Sequence, residues 1–444
     1  MSQYMLKRVL TVVTLLCLVF GVAKISSAHQ LSYQELINKT NIPNYGAIPS
    51  FKLKQLIDDH MGDLDLTGDA LQEDAISHEV FLQRLQSGYY NGYKALDFSG
   101  SNLKSPIKHD HLSDFFQIAI EEGQPENFQA HSKTTNLVQN LEYLNLNNKS
   151  IDKEMLGYIK HLKNLKILLL RNTGINNEDL LSFINELQQL QMVDLSENPI
   201  NDAIERLSIP QLKILILADL KRSETEDSNF EDEMLPDQTQ AIGFNEFPIA
   251  KPVQSQPKQL QFHHLENIGK LSRQLTYLDL SANDMVDKNI HYLNNFKNLK
   301  VLQLAANDIT FKGEKKLGHF DHITWLDLSS NKMRSPQVVL DIRAKFPSLQ
   351  HLNLSYNQFS DDAFKNLALL PENTEISFGL NRKLSRTIAN ETLLKLNNKG
   401  IRVLDWDEVT FKKEVSSLGK KKQKYRRDQV LDPTQENRKR PCFG

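Results

Sequence analysis

The sequence predicts an α/β solenoid in which each unit holds one short strand and one short helix. The first observation is a phrase, LxLxxN, that recurs in nearly fixed phase. Its asparagines are spaced by 24, 24, 26 and 24 residues, at Asn283, Asn307, Asn331, Asn357 and, in a weaker form of the phrase, Asn381. The second observation is helical spacing of the apolar residues between phrases, as at Ile290, Leu293 and Phe296. Such a period is typical of repeat proteins, whose units bury their apolar faces only by stacking on their neighbours.

The leucines of each phrase predict the strand. Leu278 and Leu280 alternate with Asp279, so the two leucines share one face of a short strand. We expect the stacked strands to form a parallel sheet on the concave face of a horseshoe, with the short helices on its convex face.

The asparagine slot is expected where the chain turns away from the strand. A carboxamide can both accept and donate hydrogen bonds, so it can join backbone groups of adjacent repeats. The asparagines in this slot are Asn198, Asn283, Asn307, Asn331, Asn357 and Asn381. Earlier repeats have Ser101, Lys149 and Thr173 there. A lysine cannot accept a hydrogen bond, so we expect the Lys149 repeat to pack more loosely.

Residues 1–28 predict a secretory signal peptide. Lys7 and Arg8 precede an apolar run over residues 9–23, which is shorter than the roughly 20 residues that span a bilayer. Small residues at 26–28 suit cleavage after Ala28. We therefore expect an exported protein, either secreted or periplasmic. An uncleaved membrane anchor is the alternative.

The rest of the chain divides by composition and periodicity. We predict a helical N-terminal cap (29–93), a first set of repeats (94–220), an acidic Pro/Gln-rich inserted loop (221–270), a second set of repeats with a closing strand (271–410) and a disordered basic tail (411–444). The tail has 11 Lys/Arg and 4 Asp/Glu, whereas the body over 29–410 carries a net charge of −12. We favour a tail that is simply solvated; the alternative is a tail that binds anionic surfaces by charge, without specific recognition of nucleic acid.

These phrases make the chain similar to the leucine-rich repeat superfamily, nearest to its ribonuclease-inhibitor-like and internalin-like members, over about Ala95 to Asp407. The resemblance implies a protein-binding horseshoe. The only cysteines are Cys17, in the leader, and Cys442, in the tail. The mature chain therefore cannot form the disulfide-bonded end caps of animal extracellular members, which favours an exported bacterial protein.

Two columns of residues on the predicted concave face form the candidate binding site. Tyr277, Trp325 and His351 stand directly before the central leucine of their phrases, and Asp279, Asp327 and Asn353 stand between the two leucines. Aromatic residues beside charges are typical of interface hot spots. We predict that these six residues bind a protein partner, with the acids favouring a basic one or the protein's own tail. The alternative is that Asp merely fills a common strand position of this repeat.

A second candidate site is a calcium loop. Its residues are Asp63, Asp65, Thr67, Asp69 and Asp74, which match several positions of a calcium-binding loop. Against this, Asp74 stands where such loops have Glu. The same letters also spell a degenerate repeat with its strand near Leu64 and Leu66. We favour the degenerate repeat, and therefore expect no metal and no cofactor.

The sequence disfavours a catalytic function. Cys442 lies near the chain end without a partner base, and Arg171 has no accompanying nucleotide-binding motif. The leading hypothesis is a non-enzymatic, exported protein that binds a protein partner, such as a host protein, through the concave face. The alternatives are a structural envelope component held by its basic tail and, less favoured, a catalytic effector.

Overall fold

The structure is a computed structural model. It describes residues 28–45, 50–62, 64–73, 84, 89–90, 92–100, 140–151, 153–220, 260–271, 273–312, 317–382 and 384–406. The predicted leader except its last residue, most of the predicted inserted loop and the whole basic tail lie outside these residues, as do Asp63 and Asp74. The chain falls into two compact units, of which the first comprises residues 1–40, 52–215 and 221–259 and the second comprises 41–51, 216–220 and 260–444.

Fifteen strands are present in the described residues, most of them only three residues long. In chain order they are β1 (Ala28–Ser32), β2 (Asn41–Ile42), β3 (Phe51–Lys52), β4 (Asp69–Glu73), β5 (Ala95–Asp97), β6 (Tyr143–Asn145), β7 (Ile167–Leu169), β8 (Met192–Asp194), β9 (Ile214–Ile216), β10 (Tyr277–Asp279), β11 (Val301–Gln303), β12 (Trp325–Asp327), β13 (His351–Asn353), β14 (Glu375–Ser377) and β15 (Arg402–Val403).

Short helices alternate with the strands of the repeats. The α-helices are α1 (Tyr33–Lys39), α2 (Leu53–Leu56), α3 (Lys153–Ile159), α4 (Asn177–Phe183), α5 (Leu265–Leu271), α6 (Gln337–Lys345), α7 (Asp361–Asn366) and α8 (Arg386–Asn398). Tighter 3-10 turns cover Ile184–Glu186, Asp202–Arg206, Phe262–His264, Asp287–Asn295 and Leu367–Leu369, and a π-helical turn covers Ile57–Met61. No helix in the described ranges is long and apolar enough to cross a membrane.

The first unit is built on a sheet that begins with an antiparallel pair. β1 pairs antiparallel with β4, and β4, β5, β6, β7 and β8 then pair in parallel, each with the next. The middle residues of the parallel strands lie in register and are buried: Leu71, Leu96, Leu144, Leu168 and Val193. The sheet thus extends into the region predicted as a helical cap, which contains strands as well as helices.

The register of strand β4 lies seven residues later than the degenerate phrase suggested, because Leu71 takes the position that the phrase gives to Leu64. Its Leu71 pairs with Leu96, whereas Leu64 and Leu66 lie outside any strand. The helix α1 before it begins after Ser32, whose hydroxyl accepts a hydrogen bond from the Glu35 amide while the Glu35 carboxylate accepts one from the Ser32 amide. This reciprocal cap fixes where the N-terminal segment turns from β1 into α1.

The second unit contains a wholly parallel sheet. β10 to β15 pair in order, and their middle residues align as Leu278, Leu302, Leu326, Leu352, Ile376 and Val403. Segment 216–220 continues the pattern, since the Leu217 amide donates to the Asp279 carbonyl at 2.9 Å. The repeat period therefore predicted the fold class correctly: the protein is an α/β solenoid with a parallel sheet and short helices.

The closing strand has a different register from the one predicted. Ile401 and Leu404 have the same spacing as Leu349 and Leu352 of an earlier phrase, which predicts that Leu404 is the aligned core residue. Instead Val403 pairs with Ile376, and Leu404 is 57 % exposed. The carboxylate of Asp405 accepts hydrogen bonds from the Phe378 and Gly379 amides, so it caps the preceding repeat. Side chains alternate along a strand, so this register shift of one residue moves Leu404 from the core face to the exposed face.

The asparagine slots form a ladder of backbone hydrogen bonds between repeats. The Asn307 amide nitrogen donates to the carbonyls of Leu280 and Leu304, at 3.0 and 3.1 Å, and its oxygen accepts from the Asn283 and Met285 amides, at 3.0 and 2.8 Å. The other slot residues follow the same scheme: Asn198, Asn283, Asn331, Asn357 and Asn381. Each slot side chain thus satisfies carbonyl and amide groups that the turn leaves unpaired.

Candidate functional site

The candidate site lies on the strand face of the second unit, which we define as the side chains at the first and third positions of β10 to β14. These side chains lie opposite the central leucines because successive residues in a strand point to opposite faces. Strand register aligns them into two columns. The first column is Tyr277, Val301, Trp325, His351 and Glu375, and the second is Asp279, Gln303, Asp327, Asn353 and Ser377.

The predicted aromatic residues are therefore brought together, but they differ in accessibility. Tyr277 is only 1 % exposed, Trp325 is half-buried, and the side chain of His351 is 33 % exposed. Tyr277 on β10 and Val301 on β11 are therefore buried, whereas Trp325 on β12 and His351 on β13 are partly exposed. The protein covers one end of the predicted binding site and leaves the other end open to solvent.

The covering group is Phe51, which no pattern in the sequence places on this face. Its ring centroid lies 6.1 Å from that of Tyr277 and 5.4 Å from that of Trp325, with interplanar angles of 89° and 67°. Both are edge-to-face contacts of the kind that stabilise aromatic clusters beyond simple burial. We call the pair Tyr277 and Trp325 the ring notch. Phe51, itself buried, occupies the ring notch.

The first column continues beyond the notch as a chain of stacked and charged groups. The Trp325 and His351 rings lie 4.5 Å apart at an angle of 31°. His351 Nδ1 is 2.9 Å from a Glu375 carboxylate oxygen, and Glu375 also forms an ion pair with Arg402. Burial of the imidazole, and then the positive charge of Arg402, lower the pKa of His351, which favours its neutral form at physiological pH.

The second column is buried except for Ser377, and three of its residues bind the protein's own turns. Asp279 and Asp327 each accept a hydrogen bond at 2.8 Å from the amide of the serine two residues later, and Asn353 does the same at 3.1 Å. Asn353 also donates to Asp327 at 3.0 Å. These bonds favour the alternative in which the polar residues shape the strand ends. Their role in binding a partner stays a prediction.

Two polar groups beside the ring notch are buried without a partner. Gln303 is fully buried, and neither oxygen nor nitrogen of its carboxamide has a hydrogen-bond partner within the part of the chain that the structure describes. The indole N–H of Trp325 is likewise buried and unpaired there. An unpaired buried polar group costs about 1–3 kcal/mol. The strand face therefore retains hydrogen-bonding capacity that its own chain does not use.

The N-terminal segment also covers strand-face positions within the first unit. Tyr33 of α1 lies with its ring 6.3 Å from that of Tyr143, and the Thr40 and Tyr143 hydroxyls are 3.3 Å apart. The Lys213 ammonium donates to the Met61 carbonyl at 3.0 Å. The Tyr33 hydroxyl is buried without a hydrogen-bond partner among the described residues. The first unit thus shows the same combination of an N-terminal aromatic cover and an unpaired polar group.

The described residues of the calcium-loop candidate make other contacts. The Asp65 carboxylate accepts bonds from the Thr67 hydroxyl and amide, and the Lys94 ammonium lies 3.1 Å from it. These bonds, those from Thr67 first, hold the pKa of Asp65 well below its usual range. Asp69 is the first residue of β4. No group of three or more metal-binding side chains is present in the described ranges.

Arg171, which we do not expect to be catalytic, is part of a partly buried ion pair with Glu197. Its guanidinium Nε donates to the Glu197 carboxylate at 2.8 Å, and its backbone amide donates to the Asn147 side chain at 2.8 Å. The side chain therefore ties adjacent repeats together.

Comparison with known families identifies the repeats in the second unit. Residues 273–333 match a leucine rich repeat family model, and residues 347–368 match a second leucine rich repeat model. The first match spans β10 to β12, which carry the ring notch, and the second contains β13. Among curated proteins, none matches the sequence significantly.

Solved structures that match the chain include two internalins from Listeria monocytogenes. Internalin C2 is 17% identical, with 56% of this chain and 82% of that chain covered and a TM-score of 0.34. The internalin inlF is 16% identical, with 86% and 94% covered and a TM-score of 0.40.

Proposed function

We propose that this chain, whose residues 273–333 and 347–368 match leucine rich repeat models, binds a protein partner through the strand face of its second unit. The observation that supports this most is the first column, in which register aligns Tyr277, Trp325 and His351 on one face of β10 to β13. Its open end presents an indole stacked on an imidazole beside a charged pair. Aromatic groups that combine apolar area with polar edges are the usual anchors of protein interfaces.

The proposal is tested by cross-linking capture with the full-length chain as bait. Trp325→Ala and His351→Ala should each lose partners that the wild type captures from the secreted or periplasmic fraction. Tyr292→Ala is the matched control, because Tyr292 is half-buried in the 3-10 turn Asp287–Asn295, away from the first column. Thermal unfolding of each variant establishes that it is folded. An identical set of partners for all four proteins would contradict the proposal.

Export is a second part of the proposal and rests on residues 1–28 alone. Cleavage after Ala28 gives a mature chain that begins at His29. N-terminal sequencing of the protein recovered from the extracellular and periplasmic fractions should find this terminus. Recovery of an intact leader in the membrane fraction would instead support an uncleaved anchor, and intact cytoplasmic protein would contradict export. A host protein as partner is proposed by analogy with other exported leucine-rich repeat proteins.

A further inference from the structure

We propose that the ring notch is a receptor for an extended peptide segment that carries an aromatic side chain, and that Phe51 is its resident ligand, which a partner protein displaces. The inference deepens the proposed function and rests on it, since it specifies the partner's chemistry and the control of access at the same strand face. The occupant we assign is a segment of a partner protein with an aromatic residue in extended backbone.

The spacing of the notch fits a single ring. Adjacent strands lie about 4.8 Å apart, so Tyr277 on β10 and Trp325 on β12 stand about two spacings apart across β11. The residue of β11 at the same register is Val301, a small aliphatic side chain between two large rings. The gap above it is one ring wide, and Phe51 fills it with both neighbours in edge-to-face contact. Because Phe51 belongs to the short strand β3, the bound backbone is extended.

The resident segment leaves hydrogen-bonding groups of the face unused. The Gln303 carboxamide and the Trp325 indole N–H are buried there without partners in the described part of the chain. Asn307, four residues after Gln303, has its carboxamide fully engaged in the ladder. A partner segment that places a backbone carbonyl or amide against Gln303 gains bonds that the Phe51 segment does not make. Specific recognition is a difference of this kind between competing ligands.

The open end of the column provides the place where such a partner first binds. His351 is partly exposed and stacked on Trp325, whereas Tyr277 at the far side of Phe51 is buried. A partner can therefore contact the partly exposed side chains of His351 and Trp325 while Phe51 is still in place. It then competes for the notch. Only the small fraction of molecules with an empty notch can bind the partner there. The partner's apparent affinity is therefore lower than its affinity for the empty notch.

The test uses fluorescence of the full-length chain. The sequence has two tryptophans, so Trp406→Phe makes Trp325 the only indole. In this background, Phe51→Ala should shift Trp325 emission to longer wavelength and increase its quenching by acrylamide, because the ring that covers the indole is removed. Tyr292→Ala in the same background is the control and should leave both measurements unchanged.

The binding arm uses a synthetic peptide with the sequence of residues 44–56, labelled with fluorescein for anisotropy. It should bind the Phe51→Ala chain roughly tenfold or more tightly than the chain that retains Phe51, because removal of the resident ring empties the notch. The same peptide with alanine in place of its phenylalanine should lose this binding, as should the double variant Phe51→Ala, Trp325→Ala. A folded Phe51→Ala chain that binds neither peptide, or both equally, overturns the proposal.

Hydrogen exchange on the wild-type chain tests the same point without a substitution that could impair folding. Displacement requires the segment to open independently, so the amides of residues 50–52 should exchange faster than those of β11 and β12. If the amides of residues 50–52 exchange only when the whole chain unfolds, as those of β11 and β12 do, the proposal is overturned. Phe51 is then simply a core residue. The proposed function fails separately: if Trp325→Ala leaves partner capture unchanged, the strand face is not the binding site, whatever the peptide does.

Discussion

At the residue scale, two carboxamides a few positions apart show how position decides the role of a side chain. Asn307 makes hydrogen bonds to groups on both sides of its turn, whereas Gln303 is buried on the strand face without a partner in the described residues. Both have the same chemistry. The turn around Asn307 leaves backbone groups unpaired, and the Asn307 carboxamide binds them. The backbone groups around Gln303 are already paired between neighbouring strands.

Asn307→Ala should lower the free energy of unfolding by about 3 kcal/mol. The substitution leaves the Leu280 carbonyl and the Met285 amide buried without their partner, and each such group costs about 1–3 kcal/mol. Urea denaturation measures the change. Asn390→Ala is the control, since Asn390 is exposed on α8 and should change stability by no more than about 0.5 kcal/mol. If the two substitutions change the free energy of unfolding equally, the asparagine ladder does not contribute to stability.

Asp327 predicts a pH dependence of stability. Burial raises the pKa of Asp327 above its usual value, against the opposing hydrogen bonds of Ser329 and Asn353. A raised folded-state pKa contributes stability below the unfolded-state pKa, and this contribution is lost as the pH rises through the folded-state pKa. Asp327→Asn cannot titrate. The variant should therefore become more stable relative to the wild type as the pH rises. The difference in unfolding free energy between the two proteins should become constant at higher pH.

Urea unfolding at a series of pH values from 3 to 7 gives that difference. Asp321→Asn, at an exposed position, controls for the removal of one negative charge. If the wild type instead becomes more stable relative to the variant as the pH rises, the hydrogen bonds to the Asp327 carboxylate affect its pKa more strongly than burial does.

At the scale of the element, β15 shows where a repeat phrase stops predicting register. Leu404 matches the leucine of the phrase by spacing but is exposed, and Val403 takes the aligned position. We expect Leu404→Ala to change stability by less than about 0.5 kcal/mol, whereas Leu354→Ala, at a fully buried core position of the preceding repeats, should cost about 2–5 kcal/mol. Thermal or urea unfolding of the two variants decides between the registers, because the phrase predicts similar losses for both.

The difference between the well-predicted and poorly predicted elements has a physical cause. Where the full phrase is present, as at Leu302 and Leu326, alternating leucines and a slot asparagine constrain strand position and register together. β15 lacks the slot asparagine, and the spacing of a single leucine does not define its register. β4 is preceded by two leucines in loop positions, and without a slot residue nothing local separates them from Leu71.

The position of Phe51 could not be predicted in this way. Its partners, Tyr277 and Trp325, are more than 200 residues away in the sequence, and no periodicity links residues at such a distance. Its helical-looking neighbours Leu53 and Leu56 do form α2. The columns of the strand face were therefore predictable from the repeat, whereas their cover and the burial of Tyr277 depend on tertiary contacts alone.

At the scale of the whole molecule, a solenoid is stabilised mainly by contacts between sequence neighbours, so damage should remain local. Leu326→Ala removes a fully buried side chain from the middle of β12 and should cost about 2–5 kcal/mol. Hydrogen exchange should then show the greatest loss of protection in β11, β12 and β13, which pair directly, and little in β6 and β7. Leu168→Ala, the equivalent substitution in β7, provides the reciprocal control and should reverse the pattern. A uniform loss across all strands in either variant would mean that the chain unfolds as one cooperative body, and the Phe51 segment would then have to open with it.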